Sequence, residues 1–437
     1  MKYYYYLIFA WSLLFGACAS SASFTYVENE IINEKYSAGA EVMEKNKGKL
    51  YASKDTLLYH LDKGMLFHYA GQYSDSTELL QEAEREIEDA FTKSITQELS
   101  SYLVNDLTKE YSGEDYEDIY INIFNALNYY HRSDMEGSLV EIRRMNNKLQ
   151  YLVQKYDAAL SNLQKKAIDD GEAVVPSNPD ALSKFNNSAL ARYLGILFYR
   201  SAGLEDDARI DREYLLAAFA NAPDVYRHPV PKSVSDELEN HDDLARLNVI
   251  AFSGLSPIKK EVVIRIPLLG NNRWIKIALP EMDSRNSNVG RAELVFADGT
   301  KHELELLEDI DAVAKETFKT KASLIYLKTI IRATAKAVSS VAMKEASRET
   351  GGEAGLALWA LSAGTQAYSE VSERADTRMS RFFPGKAYIG GINLPPGNYS
   401  FEVNYYDAYG KIISTSSYNS MNISKNSLNL AEAFCLK

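Results

Sequence analysis

Hydrophobic periodicity divides this chain into two regions. Between residues 25 and 225, apolar residues recur at spacings of three and four, and proline is nearly absent. That spacing places the apolar side chains on one face of a helix. Beyond residue 244 the pattern changes to short β-rich runs, one of which, WIKIAL at 274–279, alternates with period two. The sequence therefore predicts an α+β fold in which a helical region precedes a β-rich region.

Two helical stretches, 56–90 and 117–149, share one order of small and large residues. In the first, the pattern runs through Gly64, Phe67, Gly71, Tyr73, Ser76, Leu80 and Ala83, and in the second through Ala126, Tyr129, Ser133, Met135, Ser138, Ile142 and Met145. This order resembles the tetratricopeptide helix-turn-helix unit, with Gly71 and Ser133 at the turn between the two helices. Residues 190–223 are a looser third match with the turn at Gly203. Other helical material separates the three stretches, so a generic helical bundle is the alternative interpretation.

Turn-forming residues set the predicted boundaries. A loop is expected at 169–181, and a division between domains is expected in 228–243. Strands are predicted at 248–253, 261–268, 274–279, 291–296, 301–307, 386–392, 399–406 and 411–418, with a helical hairpin at 309–375. We therefore expect a tetratricopeptide-like domain at 28–227. A β-sandwich-like domain at 244–437, with the helical hairpin inserted, should follow it.

The first residues have the features of an export signal. Lys2 precedes an uncharged apolar run of about a dozen residues, which is shorter than the roughly 20 that span a bilayer. The following LFGAC, 14–18, resembles the bacterial lipobox, in which small residues precede a lipid-modified cysteine. We expect a signal peptide at 1–17, lipidation of Cys18 and a tether at 18–27. An ordinary secretory signal with an incidental cysteine is the alternative. Ala19 favours the outer membrane, with the protein facing the periplasm.

Four stretches together carry a wider resemblance. These are 112–149, 252–261, 307–318 and 374–401. They resemble an uncharacterised family of bacterial lipoproteins, in which tetratricopeptide-like helices precede a β-rich region. The resemblance implies a role in the cell envelope. The family is sometimes associated with envelope proteins that resemble lipoprotein activators of penicillin-binding proteins. It transfers no site residues.

Composition and motifs argue against several kinds of chemistry. The formal net charge of −12 makes nucleic acid an unfavourable partner. Two cysteines at opposite ends of the chain exclude a disulfide framework and a multi-cysteine zinc site. No metalloprotease, nucleophile-elbow or phosphate-loop motif occurs. We therefore expect no metal, no cofactor and no enzymatic activity.

Aromatic and arginine side chains on the repeat helices are the best candidates for binding, because interface anchors are enriched in both. The predicted partner-binding residues are Tyr73, Tyr116, Tyr129, Tyr130, Arg143 and Arg144. The sequence thus favours an anchored, non-enzymatic adaptor that binds another envelope protein. A binder of cell-wall polymer, or an accessory factor of its synthases, is the alternative, and a hydrolase is a third possibility.

Overall fold

A computed structural model describes residues 23–97, 106–152, 185–239, 243–268, 273–350, 373–425 and 427–437. The predicted signal peptide, Cys18 and the predicted loop at 169–181 lie outside these ranges. So does most of the second arm of the predicted helical hairpin. The predicted tether ends earlier than expected, because helix α1 begins at Thr25 and already buries Val27.

The first half of the chain is helical, as predicted. Among its described residues, three short helices are followed by three antiparallel pairs and one short helix. Their bounds are α1 Thr25–Ile32, α2 Tyr36–Lys45, α3 Lys47–Leu50, α4 Thr56–Tyr69, α5 Tyr73–Gln97, α6 Asp115–His131, α7 Met135–Leu152, α8 Ala189–Ser201, α9 Glu205–Asn221 and α10 Lys232–Asp236. The pairs α4–α5, α6–α7 and α8–α9 pack against each other in chain order.

The three pairs turn in the same way. Gly71, Ser133 and Gly203 each have a positive φ, of 73°, 60° and 72°. In each turn this residue donates its N–H to the carbonyl three residues earlier, and the next residue donates to the carbonyl five residues earlier. This is the hydrogen-bond pattern of a Schellman helix end. These are the three positions at which the sequence predicted turns.

The contact between paired helices also repeats. The Ser76 hydroxyl on α5 donates to the carbonyl of Gly64 on α4 (2.8 Å), and Ser138 on α7 donates to the carbonyl of Ala126 on α6 (2.9 Å). A Cβ on Gly64 would press into Leu80, so the small residue allows the close approach. The two stretches aligned by sequence therefore share one packing arrangement.

The described residues of the second half form nine strands and a long helix. Their bounds are β1 Ala245–Leu255, β2 Ile258–Leu268, β3 Arg273–Asp283, β4 Arg291–Phe296, β5 Lys301–Asp309, α11 Ile310–Thr350, β6 Pro384–Leu394, β7 Gly397–Tyr406, β8 Ile412–Ile423 and β9 Asn429–Cys435. Strands β2 and β3 form a separate antiparallel ribbon, and α11 packs along β3.

The other seven strands form one sheet rather than the two facing sheets of the predicted sandwich. Their order is β8-β7-β4-β5-β6-β1-β9, and β9 runs parallel to β1. The sheet curls until its edge strands approach, and the Tyr418 hydroxyl on β8 donates to the carbonyl of Glu432 on β9. The result is nearly barrel-shaped. Leu247 and Val249 of β1 point into this barrel, whereas Ile250 and Phe252 point out towards the helices.

The predicted domain boundary at 228–243 is not a linker in the described residues. It contains α10, and Glu237 is fully buried between Arg200 and Arg246. Apolar residues of the helices and of the outer sheet face belong to one continuous core. Among the described residues, none of the helices combines the length and apolar character needed to cross a bilayer.

Candidate interaction surface

The inner face of the helical layer is covered by the sheet of the same chain. Phe124 on α6 packs against Phe252 on β1, with ring centroids 5.4 Å apart, and against Phe383 at 6.0 Å. Tyr69 on α4 contacts Phe434 on β9 at 4.8 Å. The face that sequence reasoning assigned to a partner is therefore occupied internally.

Two of the predicted partner-binding residues serve this internal contact. Tyr116 has no exposed surface and packs against Phe383 at 5.9 Å. The hydroxyl of Tyr130 accepts the N–H of Leu430 on β9 (2.9 Å) and lies 3.1 Å from the carbonyl of Leu428, to which it can donate. Tyr116 is thus removed from any surface available to a partner. Tyr130 holds the last strand against α6.

Tyr73 belongs to a buried polar chain that joins the helices to β9. Its ring stacks on His131 at 4.3 Å, and the Nε2 of His131 lies 2.6 Å from Glu432. The other carboxylate oxygen of Glu432 lies 3.0 Å from Nε2 of His68, whose Nδ1 lies 2.7 Å from Oδ1 of Asn128. The chain therefore connects α4, α5 and α6 to one carboxylate on β9.

The neighbouring hydrogen bonds fix where the protons are. Asn128 donates its Nδ2 to the Ser76 hydroxyl (2.9 Å), so its Oδ1 faces His68. Both ring nitrogens of His68 consequently face oxygen acceptors, and the His68–Glu432 pair must carry a proton at each contact. Burial alone would raise the pKa of Glu432, but the charges of His68 and His131 outweigh it and hold that pKa at about 2. These contacts of Glu432 close the helix–sheet interface.

Glu308 on β5 anchors a second contact between the layers. It lies at an irregularity in the pairing of β5 with β6 and is fully buried. Tyr120 donates to it, as do Ser188 (2.8 Å), Tyr226 (2.8 Å) and the N–H of Leu190 (3.3 Å). Burial raises the pKa of the Glu308 carboxyl above its ordinary range.

A third contact binds the segment that leads into β6. Ser380 donates its backbone N–H to Glu117 (2.6 Å) and its hydroxyl to Asp62 (2.7 Å). Burial raises the pKa of Asp62 to about 6. Burial, together with the charge of Glu114, raises the pKa of Glu117 to about 7. These two acids hold residues 376–381 across α4 and α6.

The remaining predicted binding residues, Tyr129 on α6 and Arg143 and Arg144 on α7, have no contact with the sheet among those described above. The Tyr129 hydroxyl accepts a hydrogen bond from Gln81 (3.0 Å). Arg144 is paired with Glu84 (2.6 Å) and so is engaged within the chain. Arg143 on α7 is exposed, and its side chain hydrogen-bonds to Tyr199 on α8. Of the six predicted residues, Arg143 is the one that the structure leaves most accessible.

Buried polar side chains lock α7 against α8 and α9. Arg192 on α8 donates to Asn146 on α7 (2.7 Å) and to Asp211 on α9 (2.7 Å). A Cβ on Gly195 would overlap the carboxylate of Asp211, so glycine allows this approach. Tyr214 lies over the Arg192 guanidinium at 4.5 Å. The outer side of α9 is therefore held in a fixed position relative to α7.

Exposed apolar side chains also occur on α7 and on α9. Tyr214 is 42% exposed and Ile210, one turn earlier, is 41% exposed. Val140 on α7, three residues before Arg143, is also exposed. Residues three or four apart share a helix face. We call these four residues, Val140, Arg143, Ile210 and Tyr214, the outer patch.

Sequence reasoning missed Glu308, Glu432 and Tyr214. Glu308 and Glu432 sit in strands without a motif, and their side-chain roles depend on partners more than 80 positions away in sequence. The sequence did indicate an exposed apolar face at Tyr214, because Tyr214 follows Ile210 by one helical turn on a helix with few other exposed apolar residues.

The described part of the chain contains no group of three or more histidine, cysteine, aspartate or glutamate side chains placed to hold a metal ion. Comparison with protein-family models, with curated proteins and with solved structures gave no match to this chain.

Proposed function

We propose that this protein is a lipid-anchored adaptor of the bacterial cell envelope that binds another protein through the outer patch. The observation that supports this most is the Asn146–Arg192–Asp211 lock, which fixes α7 and α9 while Arg143, Ile210 and Tyr214 stay exposed. A rigid surface loses little conformational entropy on binding.

The chemistry of the outer patch suits a protein partner. Tyrosine and arginine are the residue types that most often dominate interface energies, and here they flank branched apolar side chains. We interpret the three helix pairs as tetratricopeptide-like repeats. Such repeats commonly offer their inner surface to a ligand. In this interpretation the protein's own sheet occupies that surface, and the outer surface remains for a partner.

Anchoring follows from the sequence of the first residues. Lipid on Cys18 would hold the processed chain at a membrane, and several acyl chains together bind stably. Six positions separate Cys18 from Phe24, whose ring packs against Phe382 of the body. At no more than about 3.6 Å per residue, this tether reaches roughly 20 Å. We propose the outer membrane, facing the periplasm, as the location.

The test is quantitative co-purification from cells of the source bacterium in mild detergent. We compare the wild-type chain with an Arg143→Ala, Tyr214→Ala double variant. The matched control is Tyr409→Ala, because Tyr409 lies in the turn after β7 and is 96% exposed. The proposal expects one envelope protein at near-equal stoichiometry with the wild type and the control, reduced at least tenfold with the double variant.

Other outcomes have defined meanings. A partner retained equally by all three chains would place the interface elsewhere and contradict the role of the outer patch. Retention of cell-wall fragments instead of a protein would favour the alternative, in which the protein binds wall polymer or assists its synthases.

A further inference from the structure

Two arginines lie side by side where α1 packs on the body. Arg285 follows β3, and Arg381 lies in the segment before β6. Arg285 donates its Nε to the carbonyl of Ser256 (2.6 Å) and an Nη to the carbonyl of Arg381. Their side chains are 16% and 28% exposed. Both guanidinium groups are therefore largely removed from water but still reachable from one side.

The pair shares a single carboxylate among the residues that the structure describes. Glu28 lies 3.2 Å from Arg381 and 3.9 Å from Arg285. The Nε of Arg381 is buried and has no hydrogen-bond partner. Since each guanidinium offers five N–H donors, one carboxylate leaves the pair short of acceptors.

Among the described residues, Glu28 is the one carboxylate that forms an ion pair with either guanidinium. Asp62 interacts electrostatically with both arginines, but its oxygens accept hydrogen bonds from Tyr51, Ser380 and the backbone N–H of Arg381 rather than from a guanidinium. Burial lowers the pKa of Arg285 to about 10, and the neighbouring charge of Arg381 contributes to that fall. Two buried like charges destabilise each other unless an anion lies between them.

We propose that Arg285 and Arg381 bind a phosphate group. A phosphate matches the planar fork of guanidinium donors, and its charge would compensate the second arginine. Glu28 occupies part of the same donor set and therefore competes with the ligand. The ring of Phe24 lies against Arg381, at 4.5 Å from the guanidinium carbon, and restricts the approach to one side.

The phosphate has two possible sources, a membrane lipid headgroup or free phosphate. The lipid source rests on the proposed anchoring, because the short tether from Cys18 would keep Phe24 and Arg381 within roughly 20 Å of the bilayer. The free source does not depend on the anchor.

The first experiment titrates inorganic phosphate into the full processed chain in neutral detergent, with calorimetric detection. We expect Arg381→Gln to weaken binding at least tenfold. Glu28→Gln should strengthen it several-fold, because the competing carboxylate is gone. The matched control, Arg85→Gln, changes an exposed arginine on α5 and should leave the affinity unchanged. A gain with Glu28→Gln cannot result from misfolding.

The second experiment distinguishes the sources. The chain is reconstituted into vesicles of phosphatidylcholine or of anionic phosphatidylglycerol, and phosphate is titrated again. Weaker apparent phosphate binding in phosphatidylglycerol indicates that the headgroup occupies the site, and equal binding indicates free phosphate. The proposal is overturned if phosphate does not bind in detergent and Glu28→Gln creates no binding. Loss of anchoring would leave the detergent experiment valid, so the two proposals can fail separately.

Discussion

The buried acid Glu117 makes a prediction about stability and pH that can be worked through in numbers. Its carboxylate accepts from Tyr111 (2.8 Å) and from the backbone N–H groups of Glu114 (2.8 Å) and Ser380 (2.6 Å). Burial raises its pKa from 4.5 to about 7. The folded protein therefore holds this proton more tightly than the unfolded chain.

The sign follows from that difference. The stabilisation is fully present below about pH 4.5 and is lost as the pH rises through about 7. At about 1.4 kcal/mol for each pH unit, the loss is about 3 kcal/mol. Glu117→Gln cannot titrate. It should cost about 1–3 kcal/mol at pH 4.5, because one acceptor oxygen is replaced by a donor. At pH 8 the variant should match or exceed the wild type.

The assay is urea unfolding of both chains at pH 4.5 and pH 8, with the free energy of unfolding taken by linear extrapolation. Asp298→Asn is the control, because backbone hydrogen bonding from Thr300 lowers the pKa of that exposed carboxyl. The contribution of the Asp298 carboxylate to the free energy of unfolding should therefore be lost as the pH falls. This is the opposite sign to Glu117, and it lies at lower pH. A difference between Glu117→Gln and wild type that is the same at both pH values would refute the reasoning.

Three further predictions concern packing and anchoring. Phe124→Ala should lower the free energy of unfolding by about 3–5 kcal/mol. Thermal unfolding followed by circular dichroism and by fluorescence should show one transition, shared by the helices and the sheet. Two separated transitions would argue against a shared core. Gly195→Ala should destabilise the protein by more than 1 kcal/mol, because its Cβ would displace Asp211; a neutral result in thermal unfolding would show that α9 can shift. Cys18→Ala should move the protein from the membrane fraction to the soluble periplasmic fraction on immunoblots. The control Cys435→Ala should stay in the membrane fraction. An unchanged distribution of the Cys18→Ala variant would contradict lipid anchoring.

Local features of the fold were predictable from the sequence because local residues determine them. The turns at Gly71, Ser133 and Gly203 follow from a residue that accepts a positive φ next to a periodic apolar run. The hairpin at Asp298-Gly299 is a similar case, and β4 and β5 lie on either side of it. In each case the information lies within a few residues.

Contacts between the two halves could not be predicted in this way. Tyr120 and Glu308 are 188 positions apart, and His68 and Glu432 are 364 apart. No periodicity in either half indicates such pairs. Tyr116 and Tyr130 on α6 therefore suggested a surface for a partner, although they face the chain's own sheet and the segment before β6.

Strand β9 shows a second limit. The sequence pattern predicts no strand after residue 418, yet Asn429–Cys435 pairs with β1. Its residues are buried on both faces, so they lack the alternation of a half-exposed strand. A short apolar run of this kind does not distinguish a central strand from a buried helical turn.

The chain's own sheet occupies the inner face of the helices, and we propose that the outer patch is free for a partner. The most direct test places a photo-crosslinking amino acid at Tyr130 or at Tyr214 in cells of the source bacterium and identifies the products by mass spectrometry. We expect the probe at 130 to link to the β9 peptide of the same chain and the probe at 214 to link to another protein. A probe at 130 that links to another protein and leaves β9 unmodified would contradict the account.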